Sequence, residues 1–163
     1  MSATHDKSGR PIVVVTGMGV VTSLGTGLVD NWSKLVAGKS GLSTITRFPT
    51  DNLKTRVAGT VDFVDVSPFT SADLCEKMAE LAGDEALAQA NLGPKGDFPG
   101  PFFLAVAPIE IEWPQREALA DASGSNDDIN YDSLLRAAST GQFTAYHRRF
   151  LFGSVADNLA DRF

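Results

Sequence analysis

The chain has 163 residues, of which 43% are hydrophobic and 21% charged, and these ordinary globular values argue against disorder or low complexity. Acidic residues outnumber basic residues by 20 to 14, and the formal charge of −6 argues against a protein that binds nucleic acid through phosphate contacts. The single cysteine, Cys75, rules out an intramolecular disulfide. Because only His5 and His147 accompany it, we expect no metal site, and we predict no cofactor.

The amino terminus is a polar tail over residues 1–10, and the remaining segment, 11–163, has the length of one domain. The tail has neither the apolar centre of a signal peptide nor the length of a membrane span. We therefore expect a cytoplasmic protein without membrane association.

The stretch Ile12–Gly25 has the strongest pattern in the chain. Four consecutive apolar residues, Ile12–Val15, are typical of a strand that is buried on both faces of a parallel sheet. Gly17 and Gly19 follow, and each permits either a positive φ or a close backbone approach. The stretch therefore predicts a strand-to-helix unit.

The residues of this turn by themselves allow two interpretations. The dinucleotide-binding fingerprint requires a third glycine that opens a helix directly, but Thr22 occupies that position and the helical pattern begins several residues later. A plain strand-to-helix turn without chemical meaning is the second interpretation. Further on, Gly38-Lys39-Ser40 resembles the end of a phosphate-binding loop, but it closes a helix and lacks the preceding glycine, so we interpret it as a helix cap.

An apolar stripe at helical spacing follows the turn and predicts a helix that faces the sheet. The stripe consists of Leu28, Trp32, Leu35 and Val36. Asp30 and Lys34 are spaced to form an ion pair on this helix, and Gly38 is placed to end it. Beyond it, a short strand is predicted from Arg56 to Val61.

A second helical region begins at Ser67, with Leu74, Met78 and Leu81 at helical spacing. Gly83-Asp84 interrupts the pattern, so we expect one kinked helix or two, ending at 91–94. Cys75 shares an apolar face of this region with Met78 and Ala82. We interpret it as a packed structural thiol rather than a nucleophile.

The second half of the chain predicts a further buried strand and two helices. The strand is Phe102–Ala107, which again lacks alternation. The helices are expected over Asp132–Ala138 and Phe152–Phe163, the latter with Val155 and Leu159 on one face.

Each of two polar clusters in this half could form a functional site or could simply lie on the surface. Asp128, Asn130 and Asp132 match the first ligand positions of a calcium loop, but serines replace its required glycine and glutamate, so we favour a solvated loop. His147 is followed by Arg148 and Arg149, which would keep it neutral, yet no acid partner is near in sequence. A surface basic cluster is the preferred interpretation.

Several motifs together resemble the amino-terminal part of the β-ketoacyl-acyl-carrier-protein synthases. They are Val-Thr-Gly-Met-Gly-Val-Val-Thr-Ser-Leu-Gly at 15–25, the helix with Trp32, Ala37–Gly41, Arg47-Phe48 and Val57–Gly59. The resemblance implies an α/β fold of the thiolase-like type, layered αβαβα, of which this chain would form an incomplete first half. It also implies an acyltransferase of fatty-acid biosynthesis that joins acyl and malonyl groups by decarboxylative Claisen condensation.

The resemblance further implies an acyl carrier protein as partner and a homodimer for the complete enzyme. The family's catalytic cysteine and two histidines have no counterpart here, because the chain is expected to stop before the nucleophile elbow. We therefore assign no catalytic residue and predict that the chain alone is inactive. A non-catalytic partner or interaction module with a partial thiolase-like fold is the alternative. We also expect the isolated chain to be poorly stable or self-associating, since its apolar strands would lack neighbours.

By position, the resemblance also implies residues that border an acyl tunnel. These substrate-binding candidates are Ile109 and Glu110, with Phe150 or Phe152 contributed across a dimer interface. In place of the family's glycine-rich turn after the second strand, Ala107–Glu110 stands here, and Pro108 and Glu110 cannot copy the backbone freedom of glycine. We expect Ile109 to point inward and Glu110 outward, because a carboxylate against an acyl chain is costly to desolvate.

Overall fold

The computed structural model describes residues 4–67, 70–92, 98, 100–106, 111–124 and 130–163, except for the side chains of Tyr146 and Phe152. The chain divides into two compact units. Unit 1 comprises Met1–Val61 and Leu81–Pro94, and unit 2 comprises Asp62–Glu80 and Lys95–Phe163. In the described part of the chain, no helix is both long and apolar enough to cross a membrane.

In its described residues, unit 1 combines two small antiparallel sheets with one helix that lies wholly within it. Strand β1 (Val21–Thr22) pairs with β2 (Gly25–Thr26), and helix α1 (Leu28–Val36) follows directly. Strand β3 (Leu42–Thr44) pairs with β4 (Val57–Gly59), with Leu42 opposite Gly59. The strand predicted over Arg56–Val61 is thus present in shorter form.

Helix α1 confirms the predicted helix, its ion pair and its stop. Lys34 Nζ lies 2.7 Å from the Asp30 carboxylate. At the carboxyl end, Gly38 has a φ of +67°, its N–H donates to the Leu35 carbonyl, and the Lys39 N–H donates to the Lys34 carbonyl. This pair of bonds is a Schellman cap, which confirms that Gly38-Lys39-Ser40 closes a helix.

The predicted burial of the apolar stripe on α1 is wrong. Trp32 is 65% exposed, and Leu35 and Val36 are exposed as well. The buried side chain of this helix is Asn31. Asn31 is buried because its side-chain amide donates hydrogen bonds to the carbonyls of Gly25 and Gly27. No sheet in the described residues covers the apolar stripe.

The two predicted buried strands are also wrong as far as the structure describes them. Residues Ile12–Val15 and Phe102–Val106 lie outside every sheet of the described residues, and the side chains of Val13 and Phe103 are 91% and 88% exposed. Ile12 donates its N–H to the Thr4 carbonyl, beside an isolated bridge between His5 and Pro11. A central strand needs a hydrogen-bonding neighbour on each side, and the described segments supply none. Ala107, the last residue of the second run, lies outside the described residues.

Helix α2 (Ser71–Gln89) is one helix, although Gly83-Asp84 interrupts its pattern. Thr70 Oγ1 accepts from the Asp73 N–H at 3.0 Å, which caps the first turn. Asn91 has a φ of +52° and ends the helix where the sequence predicted an end. Residues 71–80 of α2 belong to unit 2 and residues 81–89 to unit 1.

Among the residues that the structure describes, unit 2 continues with four helices: α3 (Trp113–Ser123), α4 (Tyr131–Ser139), α5 (Thr144–Arg148) and α6 (Phe152–Arg162). The predicted helices are confirmed in α4 and α6. Val155 and Leu159 are 0% and 1% exposed, as their shared face predicted. Other buried apolar side chains of unit 2 are Val64, Ala72, Ala137, Phe143, Phe150 and Phe163. Val61, at the end of the first segment of unit 1, is buried as well, but most of the apolar core of the described residues lies in unit 2.

Candidate functional site

The candidate site is the glycine segment, which we define as residues 17–28 of unit 1. Side chains from the carboxyl half of α2 bind its backbone. Glu85 accepts from the Val20 N–H at 3.0 Å and from the Leu28 N–H at 2.7 Å. Gln89, one turn further along α2, accepts from the Met18 N–H at 2.7 Å. Three backbone donors of the segment are thus satisfied by two side chains of one helix.

Gly17 and Gly19 bring the segment into contact with the backbone of α2. A Cβ at Gly17 would overlap the carbonyl oxygen of Ala86, and a Cβ at Gly19 would overlap that of Ala82. Neither glycine has a positive φ. Of the two uses that the sequence left open for these glycines, the structure shows the close backbone approach.

Asn31 organises the hairpin of β1 and β2 from within α1. Its side-chain amide donates to the carbonyls of Gly25 and Gly27 at 2.9 and 2.8 Å, and its Oδ1 accepts from the Thr22 hydroxyl. Asn31 is 8% exposed, and a buried amide needs such partners because desolvating it alone is costly. The turn therefore has a polar centre instead of an apolar one.

The hydrogen bonds of the segment disfavour nucleotide binding. Phosphate loops need backbone N–H groups that point at the ligand. Here the N–H groups of Met18, Val20 and Leu28 are bound to Gln89 and Glu85, and that of Leu24 is bound to the Thr22 hydroxyl. The Gly27 N–H donates to the Val20 carbonyl. This agrees with the mismatch of the sequence to the dinucleotide fingerprint.

The predicted tunnel residues are not assembled by the described structure. Ile109 and Glu110 lie outside the described residues. Phe150 follows α5 and is 8% exposed. Phe152 begins α6, and its side chain lies outside the described part of the chain. Their role in binding an acyl chain stays a prediction.

A second cluster in unit 2 surrounds Arg149. Its guanidinium lies 2.6 Å from Asp73 and 2.8 Å from Glu76, and Glu76 also accepts from the Asn158 amide at 2.9 Å. Arg149 therefore forms ion pairs inside unit 2, and the predicted surface basic cluster is wrong for this residue. Partial burial opposes ionisation of Asp73, yet hydrogen bonds from Thr70 and Arg149 hold its pKa below the ordinary value.

Cys75 and His147 show no catalytic arrangement in the described structure. Partial burial raises the pKa of the Cys75 thiol, with Glu76 adding to the rise and Arg149 opposing it. A protonated thiol is a poor nucleophile, which agrees with the structural interpretation. His147 stacks on Phe143, with ring centroids 5.5 Å apart.

The polar loop and the surface of α6 carry no cofactor site among the described residues. Asn130 caps α4 by accepting from the Asp132 N–H at 2.9 Å, and Asp128 lies outside the described residues. No group of three metal-binding side chains occurs in the described part. A depression of about 510 Å³ on α6 is lined by Arg148, Ser154, Asp157, Asn158, Ala160 and Asp161. Its charged lining does not suit an acyl chain.

Sequence reasoning missed the three residues that fix the glycine segment. Asn31 could have been noticed as a polar residue at i+3 from Leu28 and i−4 from Leu35, inside an otherwise apolar helix face. Glu85 and Gln89 are an ordinary i, i+4 polar pair. Nothing in their spacing connects them with backbone N–H groups 57 to 71 residues away.

Comparison with known proteins identifies the protein family to which this segment belongs. Residues 10–98 match the family described as beta-ketoacyl synthase, N-terminal domain. The match covers more than half of the chain and includes the glycine segment, α1 and α2. The chain belongs to this family.

Individual relatives agree with this assignment. The chain is 45% identical over 86 residues to 3-oxoacyl-[acyl-carrier-protein] synthase 2 of Coxiella burnetii, covering 49% of this chain and 21% of the relative. It is 37% identical over 87 residues to the chloroplastic 3-oxoacyl-[acyl-carrier-protein] synthase I of Arabidopsis thaliana, covering 50% and 18%. It is also 37% identical over 89 residues to the tetracenomycin polyketide synthase ketoacyl synthase beta subunit of Streptomyces glaucescens, covering 51% and 22%. The chain thus matches about a fifth of the length of these relatives.

Proposed function

We propose that this chain supplies the amino-terminal part of a β-ketoacyl-acyl-carrier-protein synthase with a thiolase-like layered fold. The observation that carries the proposal is the match of residues 10–98 to the amino-terminal domain of that family. The synthase segment is residues 11–163, preceded by a polar tail at 1–10. The proposed reaction is the decarboxylative Claisen condensation of acyl and malonyl groups on acyl carrier protein in fatty-acid biosynthesis.

The chain's own residues contribute scaffold rather than chemistry to this reaction. Condensation needs an activated cysteine and groups that stabilise developing negative charge. The single cysteine has a raised pKa, and the two histidines are His5, in the polar tail, and His147, stacked on Phe143. We therefore propose that the 163-residue chain is inactive alone. Acyl carrier protein as partner, a homodimer and a cytoplasmic location belong to the same proposal.

A chimera tests the proposal. The 86-residue segment of the Coxiella relative that aligns with this chain is replaced by this chain's segment. As control, the same segment is replaced by the matching one from 3-oxoacyl-[acyl-carrier-protein] synthase 2 of Vibrio cholerae, which is 41% identical to this chain over 86 residues. Both chimeras are expected to condense acyl and malonyl carrier proteins, while the purified 163-residue chain shows no turnover above a blank.

Two results would contradict this account. If the control chimera condenses and the test chimera folds but does not, this chain's segment is not an equivalent scaffold. Turnover by the 163-residue chain alone would contradict the proposed inactivity, because the barrier reduction of such a site requires its nucleophile and oxyanion groups together.

We also propose that Ile109, with Phe150 or Phe152 contributed across a dimer interface, borders the acyl tunnel of the complete enzyme, while Glu110 turns away. The support is positional resemblance. The test is made in the complete enzyme, where Ile109→Ala and Ile109→Trp are expected to lengthen and shorten the preferred acyl chain. An unchanged product profile in both variants would show that Ile109 does not line the tunnel.

A non-catalytic interaction module is the second candidate, and the exposed apolar residues of unit 1 favour it. Val13, Val14 and Val15 are all more than half exposed. An exposed β-branched run is suited to pairing with another chain. The chain is therefore expected to self-associate in sedimentation velocity experiments, and Val13→Lys with Val15→Lys should return it to monomer. The control, Asn52→Lys with Thr55→Lys, adds the same charge at exposed polar sites, and an equal effect would exclude this surface.

A further inference from the structure

We propose that the Glu85 carboxylate is a resident anion of the glycine segment, bound where a nucleotide-binding loop would hold a phosphate. By binding the N–H groups of Val20 and Leu28, it positions both the backbone of the segment and the first residue of helix α1. Glu85 is thereby a positioning residue of unit 1. This inference does not rest on the proposed function, because every group it uses lies in the described structure.

Both oxygens of Glu85 take part. Oε1 accepts from the Leu28 N–H at 2.7 Å, and Oε2 accepts from the Val20 N–H at 3.0 Å. Leu28 is the first residue of α1, so its N–H has no acceptor within the helix. A negative charge at this end also interacts favourably with the helix dipole.

No neighbouring side chain caps the start of α1, and the acceptor for the Leu28 N–H comes from Glu85, which is distant in sequence. The N-cap of α1 is Gly27, which has no side chain to cap the helix. Its φ of +88° favours glycine, and a Cβ there would lie 3.2 Å from Glu85 Oε1. A serine or aspartate at Gly27 would therefore be strained and would crowd the carboxylate. The glycine makes room for a cap that comes from 57 residues further along the chain.

The arrangement accounts for glycines that partly match a nucleotide fingerprint although two N–H groups of their segment bind a carboxylate of the protein itself. The anion position is filled by a group that cannot leave the protein. Glutamine at position 85 would be a poor replacement although it has nearly the same shape. Its NH₂ group would face one of the two N–H donors, and a buried donor left without an acceptor is destabilising.

The experiment measures hydrogen exchange of single amides in the full ¹⁵N-labelled chain. In the parent, the Val20 and Leu28 amides are expected to be protected. In Glu85→Gln, protection of at least one of them should fall about tenfold or more, as expected for the loss of one hydrogen bond to a charged acceptor. Asp84→Asn removes the same charge from the exposed neighbouring position and should leave both amides protected.

Chemical rescue distinguishes an anion position from ordinary packing. Glu85→Ala should lose protection at both amides and regain part of it in sodium acetate, but not in sodium chloride of equal ionic strength. If Glu85→Ala does not fold, the comparison of Glu85→Gln with Asp84→Asn decides the question. Unprotected Val20 and Leu28 amides in the parent, or equal protection in the parent and Glu85→Gln, would overturn the proposal. Equal rescue by acetate and chloride would do the same.

Discussion

Units 1 and 2 are stabilised by different interactions. In unit 1, polar side chains bind the backbone: Asn31 holds the hairpin and Glu85 holds the glycine segment. Its apolar side chains, such as Val13 and Trp32, are largely exposed. In unit 2, Val155 and Leu159 are fully buried. Apolar composition alone therefore does not decide which residues form a core, because an apolar run is buried only where other elements cover it.

The residues that match the family are also largely different from the residues that form the apolar core. The sequence that identifies the family includes the glycine segment and the exposed apolar run of unit 1. The two largest fully buried side chains, Val155 and Leu159, lie in α6, outside the matched residues 10–98. Substitutions in the two units should consequently have effects of very different size.

The largest difference is expected between two leucine truncations. Leu159→Ala should lower the free energy of unfolding by about 2–5 kcal/mol, because it leaves a cavity at a fully buried site. Leu35→Ala, in the exposed stripe of α1, should change it by less than about 0.5 kcal/mol. Urea unfolding followed by circular dichroism measures both. Equal losses would show that the stripe is covered in solution and that the contrast between the units is wrong.

The next effect in size concerns the polar centre of unit 1. Asn31→Ala removes one acceptor and two donors from a buried position, so a loss of about 1–3 kcal/mol is expected. Asn31→Asp is the matched control, since it keeps an acceptor for the Thr22 hydroxyl but loses both donors to the carbonyls of Gly25 and Gly27. It should also destabilise the chain. A neutral Asn31→Ala would mean that the hairpin does not depend on this amide.

A smaller effect is expected from the ion pairs of unit 2. Arg149→Met leaves Asp73 and Glu76 without their shared cation, and a loss of about 1–2 kcal/mol near pH 7 is expected for this half-buried cluster. Arg149→Lys keeps the charge and should lose less.

The pH dependence of this effect has a definite sign. The folded state lowers the pKa of Asp73, so its stabilising contribution is present above the ordinary aspartate value and is lost as the pH falls through the lowered value. The difference between the parent and Arg149→Met should therefore shrink below about pH 4. A difference that is constant from pH 7 to pH 3 would assign the effect to packing of the arginine stem.

Sequence reasoning predicted the elements whose signals are local. The extent of α1, its Gly38 cap and the buried face of α6 follow from periodicity and capping within a dozen residues. The strands at Ile12–Val15 and Phe102–Ala107 are predicted from composition. An apolar composition shows that a segment could be buried in a core, but it does not show whether neighbouring strands are present to pair with it. The contacts of Glu85 and Gln89 depend on how distant segments meet, and a single sequence carries no signal of that meeting.

The central claim, that unit 1 lacks the apolar packing that unit 2 has, is tested most directly by hydrogen–deuterium exchange of the intact 163-residue chain, read by mass spectrometry. Peptides from α6 should exchange slowly, because local opening there exposes buried Val155 and Leu159. In a sample dilute enough to be monomeric, peptides covering residues 13–16 should exchange near the intrinsic rate. Protection at residues 13–16 equal to that of α6 would contradict the account, since it would show that the amino-terminal apolar run is paired and covered in the isolated chain.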